Sequence, residues 1–176
     1  TLDEPAFQLR TERVDLNELL ADIAARFAER AGQQGVDLQA LHGEQPVVAV
    51  VDVELFERAV ANLVDNALKF CAAGCHITVQ AQERHRVGVD EVEVSVSDTG
   101  PGIAEADLPH LFDRFYQARH TVAPATSEGG KGLGLAIVKR IVELHGGSVA
   151  VTSSLTQGTR VALTLPASPN LARENP

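Results

Sequence analysis

The 176 residues include no Met, no Trp, one Tyr and two Cys. Two cysteines cannot staple a chain of this length, so a disulfide scaffold is excluded. The lack of Met extends to position 1, so an excised fragment or a processed chain is expected. Basic residues are the minority, with 15 Lys and Arg against 24 Asp and Glu, and they form no run. The net charge of −9 argues against a general nucleic-acid binder. No apolar run approaches the roughly 20 residues that cross a bilayer, and no signal peptide is visible. With Gly at 14 and Pro at 8, a low-complexity chain is excluded as well. What remains is an ordinary globular mix, 44% hydrophobic and 22% charged. A single domain of this length buries roughly 70% of its unfolded surface and needs no staple.

Residues 1–13 are polar and aperiodic, and read as a linker or the end of a helix. A helix signal follows. Asp15 can cap, Glu18 lies three residues on, and Val14 and Leu19 suit a hydrophobic staple. Leu16, Leu19, Leu20, Ile23 and Phe27 keep helical spacing, and Gly32 and Gly35 end the element. VDLQAL (36–41) and VVAVV (47–51) read as strands. Asp52 can cap a second helix over 53–70, with Phe56, Val60, Leu63, Ala67 and Phe70 as its narrow apolar stripe. CAAGC (71–75) is a turn. Residues 76–82 and 91–98 alternate as strands, with Val92, Val94 and Val96 on one face. Residues 105–117 read as helical, 118–132 as a mobile loop and 133–147 as an apolar helix closed by Gly146 and Gly147. SVAVTS and TRVALTLP form a last pair of strands, and a frayed tail follows. This order lacks the strict alternation of a parallel α/β sheet. It fits an α+β fold, a mostly antiparallel sheet with helices on one face.

Three groups of residues carry chemistry. On the second helix Asn62, Asn66 and Lys69 lie within about 60° of one another, beside the apolar stripe. Two carboxamide oxygens and an ammonium suit a hard cation and a phosphate. On spacing alone, a solvated polar face is the commoner meaning. Asp98 continues the parity of Val92, Val94 and Val96, so its carboxylate points toward the core at a strand end and needs donors there. The glycines of DTGPG beside it let a ligand approach the backbone, which suits the amino group of a purine; the plainer reading is an Asx turn. GGKGLGLAIVKR places a glycine-rich loop before an apolar helix, a place for an anion. It is not a Walker A loop, because Gly132 follows Lys131 and Ala125 stands where the first glycine belongs. Nor is it a Rossmann fingerprint, since no strand leads into it. Alone it also fits a flexible hinge.

Taken together, NLVDNALKF, DTGPGI, LFDRFY and GGKGLGLAIVKRIVELHGG, in this order and spacing, resemble the catalytic ATP-binding domain of two-component histidine kinases. That domain belongs to the superfamily that also holds type II topoisomerase, MutL and heat-shock chaperone ATPases. The resemblance covers about residues 14–166. It implies a two-layer α/β sandwich (the Bergerat fold), a mixed, mostly antiparallel sheet under three helices with a mobile ATP lid. The cofactors implied are ATP and Mg²⁺. Asn66 would hold the magnesium with Asn62 assisting, Lys69 would reach the phosphates, and Phe70 would pack near the nucleotide. Asp98 would accept from the adenine amino group in a pocket shaped by Gly100 and Gly102, with Ile103 and Thr159 beside it. Gly130, Lys131, Gly132, Leu133, Gly134 and Leu135 would surround the phosphates. The lid would run from about Ile103 to Gly130, anchored by Phe112 and Phe115, with Arg114 or Arg119 near the γ-phosphate.

The hydrolysing branches of that superfamily carry a glutamate where this chain has Asn62. A neutral amide cannot take a proton from water, so net hydrolysis is expected to be slow. In the kinase branch the nucleophile is a histidine on a separate helical domain. None of the six histidines here is followed by the acidic, Leu-Arg-Thr-Pro-like run of that acceptor. The resemblance therefore implies a dimerisation and phosphoacceptor domain elsewhere in the same protein, with residues 1–13 as its end and hinge and 167–176 as a disordered tail. It also implies relay to a response-regulator aspartate, a cytoplasmic domain in a full-length homodimer anchored in a bacterial inner membrane, and a monomeric fragment that binds no nucleic acid. Two alternatives stand beside it: a serine kinase of the same superfamily, such as an anti-sigma-factor kinase, and a degenerate module that only interacts. Lys131 departs from the usual pattern, where a small residue is common. Cys71 and Cys75 lack a nearby His or Cys pair to complete a zinc site. They read as small buried side chains or as a redox-sensitive pair.

Overall fold

The computed structural model describes residues 7–113 and 133–167, and the side chains of Leu133 and Gly134 lie outside that description. In chain order the elements are strand β1 (Glu12–Asp15), helix α1 (Leu16–Gln34), strands β2 (Asp37–Leu41) and β3 (Val48–Val51), and helix α2 (Val53–Phe70). Strands β4 (His76–Arg86) and β5 (Val89–Asp98) follow, then a 3₁₀ turn at Leu108–His110, helix α3 (Leu133–Leu144) and strands β6 (Ser148–Ser154) and β7 (Gly158–Pro166).

The main sheet has five strands in the order β2-β4-β5-β7-β6. β2 pairs with β4 in parallel, and the other three pairings are antiparallel. The sheet is therefore mixed and mostly antiparallel, and the helices pack on one of its faces. This is the α+β sandwich expected from the order of elements. The 47–51 strand does not join that sheet. β3 pairs instead with β1, within a segment expected to be a linker. Glu12–Asp15 does not alternate in hydrophobicity; a partner 33 to 39 residues away makes it a strand, through pairs such as Val14↔Ala49.

α1 begins at Asp15, whose carboxylate accepts from the Asn17 backbone N–H at 2.9 Å. Gly35 closes it, and Gly32 lies inside its last turns rather than ending it. Leu16, Leu19, Leu20 and Ile23 are buried as their spacing requires, while Phe27 is only half-buried. α2 spans the expected residues, capped by Asp52, which accepts from the Leu55 N–H at 3.2 Å. Its apolar face is wider than the narrow stripe, because Ala59, Val64 and Leu68 are buried beside Phe56, Val60, Leu63 and Ala67. Phe70 falls outside that core and is half-buried. The α2 face meets Ile77, Val79, Val92, Val94, Val96, Val138, Ile141 and Leu163 in one continuous core.

The helix expected over 105–117 is absent from its described part, which holds turns and the single 3₁₀ turn. Pro109 removes a backbone donor there, which the first turn of a helix tolerates and its interior does not. The remainder of that segment and the loop expected over 118–132 lie outside the described residues.

Candidate functional site: the sheet end beneath the last turn of α2

Sheet register builds the site. On the face turned to the helices, Val92, Val94 and Val96 of β5 stand opposite Leu165, Leu163 and Val161 of β7. The next step of the same parity sets Asp98 opposite Thr159, and Thr159 opposite Ser153 of β6. On its other side Asp98 faces Ile77, which is fully buried. The apolar face thus ends in a polar row, Asp98–Thr159–Ser153. The inward Asp98 expected from alternation is there, and it is half-buried.

Two backbone N–H groups meet that carboxylate. Gly100 donates to Oδ1 at 2.9 Å, and Thr159 donates from across the ladder. The bond to Gly100 is the Asx turn of the plainer reading, so the turn and the inward acceptor coexist. Burial pushes the Asp98 carboxyl above its usual value, and the two donors only partly offset it. An acceptor in this state gains from any further donor brought by a ligand.

The loop after Asp98 is stitched to the β6–β7 turn. Gly102 has φ of +77°, and a Cβ there would lie 1.9 Å from the Ser154 carbonyl oxygen. Gly158, at φ +93°, would put its Cβ 2.0 Å from the Asp98 carbonyl oxygen. Both positions demand glycine for conformation and for space. Gly102 thus lets the loop close on the end of β6. The Ile103 N–H donates to Ser153 Oγ at 2.7 Å, and Ser153 Oγ lies 2.9 Å from Thr159 Oγ1. Ser153 was missed by sequence reasoning, since only the register reveals that it faces Thr159.

α2 delivers the second group. Asn62, Asn66, Lys69 and Phe70 are all half-buried, on the helix edge that borders the core. Its C-terminal end reaches the loop, where Phe70 O and Cys71 Sγ lie 3.7 and 3.4 Å from a Cβ placed on Gly100. Lys69 is held: its Nζ is 3.1 Å from Asp65 Oδ2, one turn back. The other oxygen of Asp65 binds the Arg30 guanidinium from α1. Burial alone would raise the Asp65 carboxyl, but hydrogen bonds from Arg30 and Lys69 outweigh it and hold the group below its usual value. The i, i+4 spacing of Asp65 and Lys69 was a local signal that the sequence reading did not use. Arg30, 35 residues away, gave none.

Phe112 and Leu135 are half-buried, as are Ile103 and Thr159. Gly134 lies in the first turn of α3. Arg114, Phe115, Arg119, Gly130, Lys131 and Gly132 lie outside the described residues. Cys71 and Cys75 are buried and joined by a disulfide. One carboxylate oxygen of Asp98 and both sulfurs lie within 4.8 Å of one another. His145 has a structural place, with Nδ1 2.7 Å from the Ile141 carbonyl and Nε2 accepting from the Asp52 N–H at 3.0 Å.

A half-buried acceptor at a strand end thus lies beside a carboxamide and ammonium edge of a helix on an α+β sandwich. Residues 51–169 match the family model described as histidine kinase-, DNA gyrase B-, and HSP90-like ATPase, and the chain belongs to that family. It is similar to the sensor protein kinase PmrB of Pseudomonas aeruginosa, 38% identical over 168 residues, covering 94% of this chain and 33% of that protein. It is similar also to the sensor histidine kinase CusS of Escherichia coli K12, 41% identical over 166 residues, with 91% and 32% covered. Among solved structures, full-length ShkA in complex with AMPPNP matches with a TM-score of 0.79 at 29% identity, over 94% of this chain and 33% of that one. The mycobacterial sensor histidine kinase MprB matches with a TM-score of 0.73 at 28% identity, over 90% and 99%. The chain spans a third or less of the length of the curated relatives named here. No helix among the described residues is long and apolar enough to cross a membrane.

Proposed function

We propose that this chain is the ATP-binding catalytic domain of a sensor histidine kinase. It binds Mg-ATP and donates the γ-phosphate to a histidine on a separate helical domain of the same protein, for relay to a response-regulator aspartate. The observation that carries the reading is Asp98, a half-buried carboxylate held by two backbone donors beneath the end of α2. Its remaining acceptor capacity matches the adenine amino group, with Gly100, Gly102, Ile103 and Thr159 around it.

The half-buried carboxamides of Asn62 and Asn66 are hard oxygen donors on one helix edge, which fits magnesium. Asn66, assisted by Asn62, would hold the ion, which when bound neutralises phosphate charge. Lys69 has three N–H donors and gives one to Asp65, so two remain for a phosphate oxygen. The Arg30–Asp65 pair sets where that ammonium stands before any ligand arrives. Phe70, half-buried at the same edge, offers an apolar surface to the nucleotide. Asn62 cannot act as a base toward water, which preserves ATP for a histidine nucleophile. Gly130, Lys131, Gly132, Leu133, Gly134 and Leu135, with Phe112, Arg114, Phe115 and Arg119, complete the proposed phosphate and lid contacts.

We assign the catalytic domain to 14–166, with β1 reaching back to Glu12, and expect a monomer for the chain alone. The dimer, the phosphoacceptor histidine and the inner-membrane anchor belong to the rest of a longer protein with this domain in the cytoplasm. Calorimetric titration with a non-hydrolysable ATP analogue, with and without magnesium, tests the reading beside a hydrolysis assay. Magnesium-dependent binding with negligible turnover is expected. Steady hydrolysis would move the chain to the ATPase branches, and absence of binding would leave a degenerate module. An acid-stable phosphoprotein product from candidate acceptors would favour the serine-kinase alternative, because phosphohistidine is acid-labile.

A further inference from the structure

The CAAGC turn joins the two halves of the site. Cys71 is the C-terminal cap residue of α2, the helix that carries Asn62, Asn66 and Lys69. Cys75 precedes β4, whose first residue pairs with the loop after Asp98: the His76 N–H donates to Thr99 Oγ1 at 2.9 Å, and the Thr99 N–H to the His76 carbonyl at 3.1 Å. Thr99 Oγ1 also lies 3.7 Å from Cys75 Sγ. The sulfur pair and a carboxylate oxygen of Asp98 sit within 4.8 Å of one another. Both sulfurs are buried, and half-buried Gly100 packs over Cys71 Sγ with no side chain between them.

We propose that Cys71 and Cys75 are a reversible dithiol–disulfide pair that gates the adenine acceptor Asp98, with the disulfide as the binding-competent form. The proposal rests on the nucleotide reading of the site. In the oxidised form neither sulfur carries a proton, and Asp98 keeps acceptor capacity beyond its two backbone donors. Reduction creates two S–H donors beside the carboxylate, and an S–H bonded to Asp98 takes the place of the adenine N–H. It also removes the covalent tie between the end of α2 and the start of β4. Oxidation by hydrogen peroxide balances simply: two thiols lose two protons and two electrons, the S–S bond forms, and the peroxide takes up both and is reduced to two waters. A small dithiol or a thioredoxin-class protein reverses it, becoming a disulfide as the cysteines regain their protons. A disulfide in a reducing compartment is ordinarily transient and sensing rather than structural, which fits a switch.

The test uses the chain with its only two cysteines, so a thiol titration reads the bond directly. Peroxide-treated protein should show no free thiol and dithiol-treated protein two. The oxidised form should bind a non-hydrolysable ATP analogue about fivefold more tightly, the worth of one neutral hydrogen bond. Cys71→Ser keeps an O–H donor and forms no bond, so it should bind like the reduced protein in either condition. The double variant Cys71→Ala, Cys75→Ala removes the donors and should bind more tightly than Cys71→Ser, with no response to peroxide. Thiols that survive peroxide overturn the pair. Equal affinity of the two forms, or tighter binding on reduction, overturns the gate and leaves the nucleotide reading standing. Binding by neither form overturns the nucleotide reading, and the gate with it. Stoichiometric zinc binding by the reduced protein that protects it from peroxide replaces the switch with a metal site.

Discussion

Two aspartates at opposite ends of α2 have similar local partners and different consequences. Asp52 caps the helix, accepting from the Leu55 N–H at 3.2 Å and the Arg10 N–H at 3.0 Å. Its own N–H is engaged by His145, which packs edge-on to Phe56. Asp98 also accepts from two backbone N–H groups, but it stands at a strand end, where burial raises its pKa. The difference is the helix. The first turn of α2 aims its unpaired N–H groups and positive dipole end at Asp52, whereas a strand end offers Asp98 no such field. One carboxylate is completed by its own chain, and the other has capacity that a ligand can use. Near-identical hydrogen-bond counts therefore do not mark a site; the surrounding field and the access do.

Substitution at each end should separate the two roles. Asp98→Asn is expected to weaken ATP binding by about 1–3 kcal/mol, through loss of a charged acceptor. Unchanged affinity in calorimetry would remove Asp98 from the site. Asp52→Ala should instead cost about 0.5–2 kcal/mol of folding stability, the usual worth of a helix cap, with nucleotide affinity little altered. Urea unfolding reads the first effect and calorimetry the second. If both variants lowered stability and affinity together, the two ends would not be independent.

Between those ends, Asn66→Ala should keep adenosine binding and abolish the magnesium dependence of ATP binding. The comparison sharpens because Asn66 is on the same helix as the cap yet makes no claim on the Asp98 end. An unaltered magnesium response in the titration would reject its assignment.

How far such roles were legible follows from the range of the interactions. The span and cap of α2 were readable because both are local in sequence, although its buried face proved wider than the expected stripe and left Phe70 outside it. Asp98 was readable because strand parity extends through Val92, Val94 and Val96 without interruption. β1 was not, since ERVD becomes a strand only by pairing with β3. The expected helix over 105–117 is replaced in its described part by a short turn, where Pro109 and the buried Asp107 outweigh a loosely helical composition. Ser153 and Arg30 enter the site across 50 and 35 residues, and no local pattern marks them. The cysteines were left between two readings because nothing in the spacing says whether the sulfurs meet.

The smallest expected effect concerns pH, and it sets Asp98 against Asp65. A carboxyl whose folded pKa lies above its unfolded value of about 3.8 binds protons more tightly when folded. The folded state then loses stability from Asp98 as pH rises from near 3.8 through the higher folded value. Asp65 has the opposite sign. Its lowered pKa gives stability that is present above 3.8 and is lost as pH falls through the folded value. The difference in unfolding free energy between wild type and Asp98→Asn should therefore shift against the wild type as pH rises across that window. For Asp65→Asn it should shift in favour of the wild type as pH rises toward 3.8 from below. Nucleotide binding adds a check on the first of these, because protonated Asp98 loses its charged acceptor. Affinity should fall in acid with a midpoint above 3.8, and Asp98→Asn should show no such step. Slopes of the same sign in the two variants would mean that burial and ion pairing are not what distinguish the two carboxylates.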